Sequence, residues 1–208
     1  MIEICEVGPR DGLQTEKTIL STEDKITLIE KLIDSGLKKI EVTSFVNAKI
    51  VPQMSDAEQL IEHLPLVEDV IYTGLLLSRS GLERALATSL SHYNVVLAVS
   101  NTFNLKNVKK SVEQSLHELT AIIQEAKANN KYVNVTLGTA FGCPYEGEIA
   151  LDHLLTVAAR FIETGVDEIT FADTTGLANP LKIEKTIKAY ERTFGTDIPL
   201  GLHFHNTR

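Results

Sequence analysis

The segment Ile198–His205 reads IPLGLHFH. In an extended strand successive side chains alternate between faces, so Leu200, Leu202 and Phe204 point one way while Gly201, His203 and His205 point the other. One face is apolar and the other carries two imidazoles. Strands of an open parallel sheet are covered by helices on both faces and read as nearly all apolar. A strand with one polar face suits the interior of a barrel near its ligand-binding end. The same division recurs upstream: Asn134 and Thr136 are expected to share a face in KYVNVTLGTAF, residues 131–141, and Glu41 and Thr43 in LKKIEVTSF, residues 37–45.

Working outward from these strands, short β-rich runs alternate with longer amphipathic ones along the chain. The remaining runs are IEICEV, DVIYTGLLL, HYNVVLAVS and VDEITFADT, which makes seven candidate strands. Between them lie helical patterns. STEDKITLIEKLIDSG begins with Ser21 or Thr22 as a cap and stops at Gly36, and LDHLLTVAARFIETG stops at Gly165. Such alternation calls for parallel strands joined by right-handed helical crossovers. No linker or low-complexity tract interrupts it, and no Gly-rich phosphate loop supports a nucleotide-binding sheet. The expectation is an α/β protein, a (β/α)8 TIM barrel incomplete at seven strands, formed by residues 1–208 as one partial catalytic domain.

With 208 residues, 43% of them hydrophobic, the chain can bury a substantial core. A net charge of −8 without clustered Lys and Arg argues against a nucleic-acid partner. Two cysteines, Cys5 and Cys143, are too few for a disulfide framework and fit a reducing compartment. No signal peptide precedes the first strand and no apolar run reaches membrane-spanning length, so the expected location is the cytoplasm.

In a (β/α)8 barrel the reacting groups sit at the carboxyl ends of the strands. There the sequence places Arg10 and Asp11 in EVGPRDGLQ, Glu41 in IEVTSF, Asp173 and Thr174 in FADTTG, and His203 and His205. An isolated Arg-Asp-Gly is ordinarily a solvated turn. Beside two imidazoles, however, Asp11 completes a set of one carboxylate and two nitrogens able to hold Mg²⁺, Mn²⁺ or Zn²⁺. Arg10 next to that ion could stabilise developing oxyanion charge. Glu41 and Asp173 are either buried acids with structural partners, or groups that orient Arg10 or move protons. Alternation leaves open which of Asp173 and Thr174 turns inward. Cys5 is expected to be a core thiol and Cys143 a loop thiol. His63, His117 and His153 fall in helical stretches and His92 precedes a strand, where packing roles suffice.

Taken in order, EVGPRDGLQ, IEVTSFVNAKIVPQM, FGCPYEGE, FADTTG and HFHNTR strongly resemble the 3-hydroxy-3-methylglutaryl-CoA lyase family. That family belongs to a metal-dependent barrel superfamily that also includes isopropylmalate and homocitrate synthases. The resemblance implies a carbon–carbon lyase performing retro-Claisen cleavage of hydroxymethylglutaryl-CoA to acetoacetate and acetyl-CoA, as in leucine catabolism, with Mg²⁺ or Mn²⁺ as cofactor. By motif, Asp11, His203 and His205 match the metal ligands, and Arg10 matches the residue that stabilises the enolate. Glu41 and Asp173 match active-site acids, His203 counts among the catalytic residues as well, and Lys17 matches a position near coenzyme A. Asn206 stands where the family commonly has aspartate. The family continues through an eighth strand bearing an asparagine ligand and a Gly-rich loop with a proton-donating cysteine, neither of which is found here. The 208-residue chain alone is therefore expected to be inactive and to self-associate, and an intact form to be a homo-oligomer, a dimer. Two other readings stand beside the lyase: a synthase condensing acetyl-CoA with a 2-oxo acid, and a non-enzymatic fragment.

Overall fold

The computed structural model describes residues 2–205. Seven strands form, one in each expected segment: β1 Cys5–Glu6, β2 Lys39–Ser44, β3 Ile71–Leu76, β4 His92–Ala98, β5 Tyr132–Gly138, β6 Glu168–Asp173 and β7 Leu200–Phe204. Their order in the sheet follows their order in the chain, as in a (β/α)8 barrel followed through its seventh strand. The connections carry helices α1 Thr22–Asp34, α2 Ala57–Glu62, α3 Arg79–Leu86, α4 Asn101–Val108, α5 Val112–Ala128, α6 Leu151–Ile162 and α7 Pro180–Phe194. No helix among the described residues is long and apolar enough to cross a membrane.

The chain divides into two compact units. One runs to Asn94 and takes in Asn129–Lys131; the other holds Val95–Ala128 and the chain from Tyr132 onward.

In the first unit, β1 pairs in parallel with β2, and β2 with β3. Helix α1 starts where the sequence indicates, Ser21 Oγ accepting from the backbone N–H of Asp24, and the chain leaves it through Gly36 at φ +96°. The apolar stripes of α1, α2 and α3 bury Ile29, Leu60 and Leu82, and the strands bury Ile40, Val42 and Leu76. Because the Ser21 cap satisfies an N–H that would otherwise lack a partner, Ser21→Ala is expected to cost about 1 kcal/mol in a urea melt. Arg84 of α3 grips both oxygens of Glu58 at 2.5 and 2.8 Å and donates to the Val46 carbonyl, fixing the loop that follows β2. That grip holds the Glu58 carboxyl below its ordinary range, so its modest stabilisation is present above the carboxylate pKa and fades on acidification.

Three expectations fail in this unit. Glu41 pairs with Thr73 whereas Thr43 pairs with Gly74, so two steps along β2 match one along β3. This is a β-bulge at Val42, and it throws Thr43 onto the face opposite Glu41. The Thr43 hydroxyl accordingly reaches the Met54 sulfur at 3.8 Å, in the Pro52–Met54 turn ahead of α2. Cys5 is exposed, not a core thiol. Its strand pairs over only two residues, and the apolar neighbours Ile2 and Ile4 are themselves 92% and 67% exposed. His92, expected just before a strand, is the first residue of β4.

In the second unit, β5 pairs in parallel with β6, and β6 with β7. The registers Asn134↔Glu168, Thr136↔Thr170, Thr170↔Gly201 and Ala172↔His203 put these residues on one face, as the alternation indicates. The other face buries Val133, Val135, Leu137, Ile169 and Phe171 beneath α6 and α7, with Phe161 and Tyr190 fully covered. Phe171 and Tyr190 meet edge to face at 5.6 Å. Burial pushes the Tyr190 phenol up to about 12, so it stays a neutral donor to the Ile198 carbonyl at the entry to β7.

Candidate active site

Beyond β1 the chain tightens into a single π-type turn, Gly8–Gly12, started by Pro9. The N–H groups of Arg10 and Asp11 both return to the Val7 carbonyl, at 3.1 and 2.7 Å. This coil turns Arg10 inward, where it is only 7% exposed, which excludes a solvated turn. Its guanidinium donates from Nε to Glu41 Oε2 at 2.5 Å, with Nη2 equally close to the same oxygen, while Nη1 holds Asp11 Oδ1 at 2.7 Å. Glu41 is 1% exposed, and its other oxygen accepts from Asn94 Nδ2 at 2.7 Å. A buried guanidinium is thus fixed between two carboxylates, one anchored by β2 and the other its own neighbour in the turn. Asn94 is the member of this group that the sequence did not announce. Its signal was an amide inside the otherwise apolar run HYNVVLAVS.

In the second unit, β7 brings the two imidazoles together: His203 Nε2 and His205 Nε2 lie 3.0 Å apart, with the rings stacked at 4.9 Å. Two nitrogens converging on one point make a donor pair suited to a divalent cation. Gly201 lies on the same face, and a Cβ there would come within 2.5 Å of Thr170 Oγ1 and 3.1 Å of Glu168 Oε1. Gly201→Ala is therefore expected to destabilise the protein by about 1–3 kcal/mol in denaturant unfolding.

At the end of β6 the open question is settled by register. Asp173 pairs with Phe204, on the face of Phe171, and is 3% exposed. Its oxygens accept from the N–H groups of Leu177 at 2.8 Å and Ala178 at 3.1 Å, clasping the loop ahead of α7. Thr174 turns the other way, its hydroxyl accepting from the N–H of Thr139. Thr139 ends β5 in the left-handed region at φ +58°, an uncommon setting for threonine, and its own hydroxyl accepts from Ser100 N–H. Cys143 is a buried thiol 2.9 Å from Ser100 Oγ, a structural pairing in the FGCPYEG turn. Lys17 is exposed, next to Glu16, whose carbonyl is held by the Gln53 amide. His153 packs through Nε2 on the Val99 carbonyl at 3.0 Å. Asn206 lies outside the described residues.

The HMGL-like family model matches residues 1–208. A hydroxymethylglutaryl-CoA lyase of Bacillus subtilis is 38% identical over 207 residues, covering all of this chain and 69% of the relative. A crystal structure of a Bacillus subtilis HMG-CoA lyase superposes with a TM-score of 0.95 at 38% identity, covering all of this chain and 69% of that one. An (R)-citramalyl-CoA lyase of Chloroflexus aurantiacus is 33% identical, the match covering all of this chain and 68% of the relative. An HMG-CoA lyase of Acinetobacter baumannii, solved with coenzyme A and 3-methylmalate, superposes at 0.93 with 36% identity over all of this chain and 68% of that one. The chain spans 63% of the mitochondrial hydroxymethylglutaryl-CoA lyase of Homo sapiens, to which it is 36% identical. A seven-stranded parallel sheet in barrel order, an Arg-Asp turn locked to a buried glutamate, and a whole-chain match lead to one statement: the chain belongs to the HMGL-like family, whose members named here are carbon–carbon lyases.

Proposed function

We propose that the protein cleaves 3-hydroxy-3-methylglutaryl-CoA to acetoacetate and acetyl-CoA. The observation that carries this reading is the buried Arg10 guanidinium, held by Glu41 at the end of β1 in a chain 38% identical to a lyase of that name. In the reaction the tertiary hydroxyl loses its proton and becomes a ketone as the C2–C3 bond breaks. The bonding pair passes onto the thioester carbonyl, giving an enolate that takes a proton at carbon to become acetyl-CoA. Arg10 answers the charge that develops on that oxygen. Its orientation is set in advance by Glu41 and Asp11, so none of the donor's reorganisation falls within the reacting step. Asp173 keeps the β6–α7 loop folded, and Lys17 would meet the coenzyme A moiety.

Asp11, His203 and His205 would hold a divalent cation, Mg²⁺ or Mn²⁺, and the two convergent imidazole nitrogens fit that assignment. When bound, such an ion supplies Lewis acidity toward the substrate's oxygens and lowers the pKa of its hydroxyl. A cytoplasmic location and a homodimer belong to the same proposal; sedimentation would measure the second.

The test is to incubate the 208-residue chain, and any longer chain that contains it, with hydroxymethylglutaryl-CoA and Mn²⁺, following products by mass spectrometry. Citramalyl-CoA serves as the competing thioester, because one relative carries that name. Acetoacetate with acetyl-CoA is the expected outcome for the longer chain. Free CoA released from acetyl-CoA and a 2-oxo acid, without acetoacetate, would point to a condensing synthase instead.

A further inference from the structure

We infer that Asn94 is a positioning residue: it fixes the Glu41 carboxylate that in turn aims Arg10. This rests on the proposed lyase reading for its purpose, though not for its geometry. All three residues lie in the first unit, on different elements.

Glu41 is 1% exposed and cannot turn to water for partners. One of its oxygens is committed to Arg10, which approaches it through both Nε and Nη2 at 2.5 Å. The second oxygen has its donor among the described residues in Asn94 Nδ2, at 2.7 Å. A carboxylate that balances a buried cation only accepts, so the Asn94 amide must present its NH₂ side. Buried ion pairs hold their geometry only when the remaining lone pairs are also satisfied. Without Asn94, the orphaned oxygen would pull the carboxylate round to share the guanidinium between both oxygens. That rotation swings Arg10 away from its bond to Asp11 at 2.7 Å. Asn94 itself is 9% exposed, in the middle of β4, where the flanking Tyr93 and Val95 are fully buried.

The test reads the Arg10 Nε–H directly by ¹H–¹⁵N NMR, its resonance assigned by its loss in Arg10→Lys. In the parent chain this proton should exchange slowly with solvent. Asn94→Val, close in size but without a donor, should speed the exchange about tenfold or more. Asn94→Ser, which keeps a shorter donor, should fall between the two. In a Glu41→Gln background Asn94→Val should have no further effect, because the carboxylate it steadies is gone; a packing role would add the same increment in both backgrounds. An exchange rate in Asn94→Val within about twofold of the parent, in a folded protein, overturns the inference, as does additivity in the double variant. Should Asn94→Val fail to fold, an unchanged rate in Asn94→Ser overturns it equally. No substrate is used in these arms, so the lyase reading can fail by giving no acetoacetate while the Asn94 result stands, and the reverse. Where turnover is measurable, Asn94→Val should lower kcat about tenfold and leave KM within about threefold.

Discussion

Arg10→Lys should lower turnover of hydroxymethylglutaryl-CoA by about 10²–10³-fold with KM held within about threefold, measured by acetoacetate release from a catalytically active form containing this chain. Lysine preserves the charge but cannot reproduce the wild-type contacts. Arg10 uses Nε and Nη2 on Glu41 and Nη1 on Asp11, three directions of one rigid plane. A single ammonium on a flexible stem can satisfy one carboxylate at a time. Both carboxylates would compete for it, and the donor left facing substrate would be neither fixed nor correctly directed. The loss should appear in kcat because the missing interaction strengthens only as enolate charge develops. Unchanged turnover would remove Arg10 from the chemistry and leave it a structural cation.

Mn²⁺ affinity, read by titration calorimetry, should fall about 100-fold in His205→Ala, equivalent to about 2.7 kcal/mol. The proposed ligands Asp11, His203 and His205 would offer one carboxylate and two imidazoles. Removing one nitrogen from so small a set takes away a third of the protein's donors and leaves His203 without the neighbour that now packs against it at 4.9 Å. His153→Ala is the control, because that ring is occupied with the Val99 carbonyl in a helix and should leave Mn²⁺ binding unchanged. Equal binding by the parent and His205→Ala would show that the ion is held elsewhere.

Every strand could be located from sequence because β-rich runs bounded by capped amphipathic helices are local features, readable within ten or fifteen residues. The paired histidines were legible for the same reason, since alternation alone puts His203 and His205 on one face. What escaped depends on a partner distant in sequence. Thr43 looks inward if only β2 is considered, and is turned outward by its register against Gly74 of β3. Asn94 is an unremarkable amide until Glu41, 53 positions earlier, lies beside it. Asp173 and Thr174 sit where the strand ends and alternation loses authority; the loop N–H groups of Leu177 and Ala178 decide between them. Cys5 was misjudged because a β-rich run was equated with a covered strand, although only Cys5 and Glu6 pair there.

The extra residue at Val42 makes β2 a strand of two phases. Glu41 serves the buried arginine, whereas Thr43, two positions on, reaches Met54 in the turn ahead of α2. Substitution at Val42 therefore tests only a side chain, whereas deletion of Val42 would remove the bulge itself. The residues beyond it would keep their sides, because Thr43 placed directly after Glu41 still faces away from it opposite Gly74, and Ser44 still pairs with Leu75. Loss of a residue at the bulge should therefore be tolerated better than loss of one before Glu41, which would break the alternation that carries its carboxylate to Arg10.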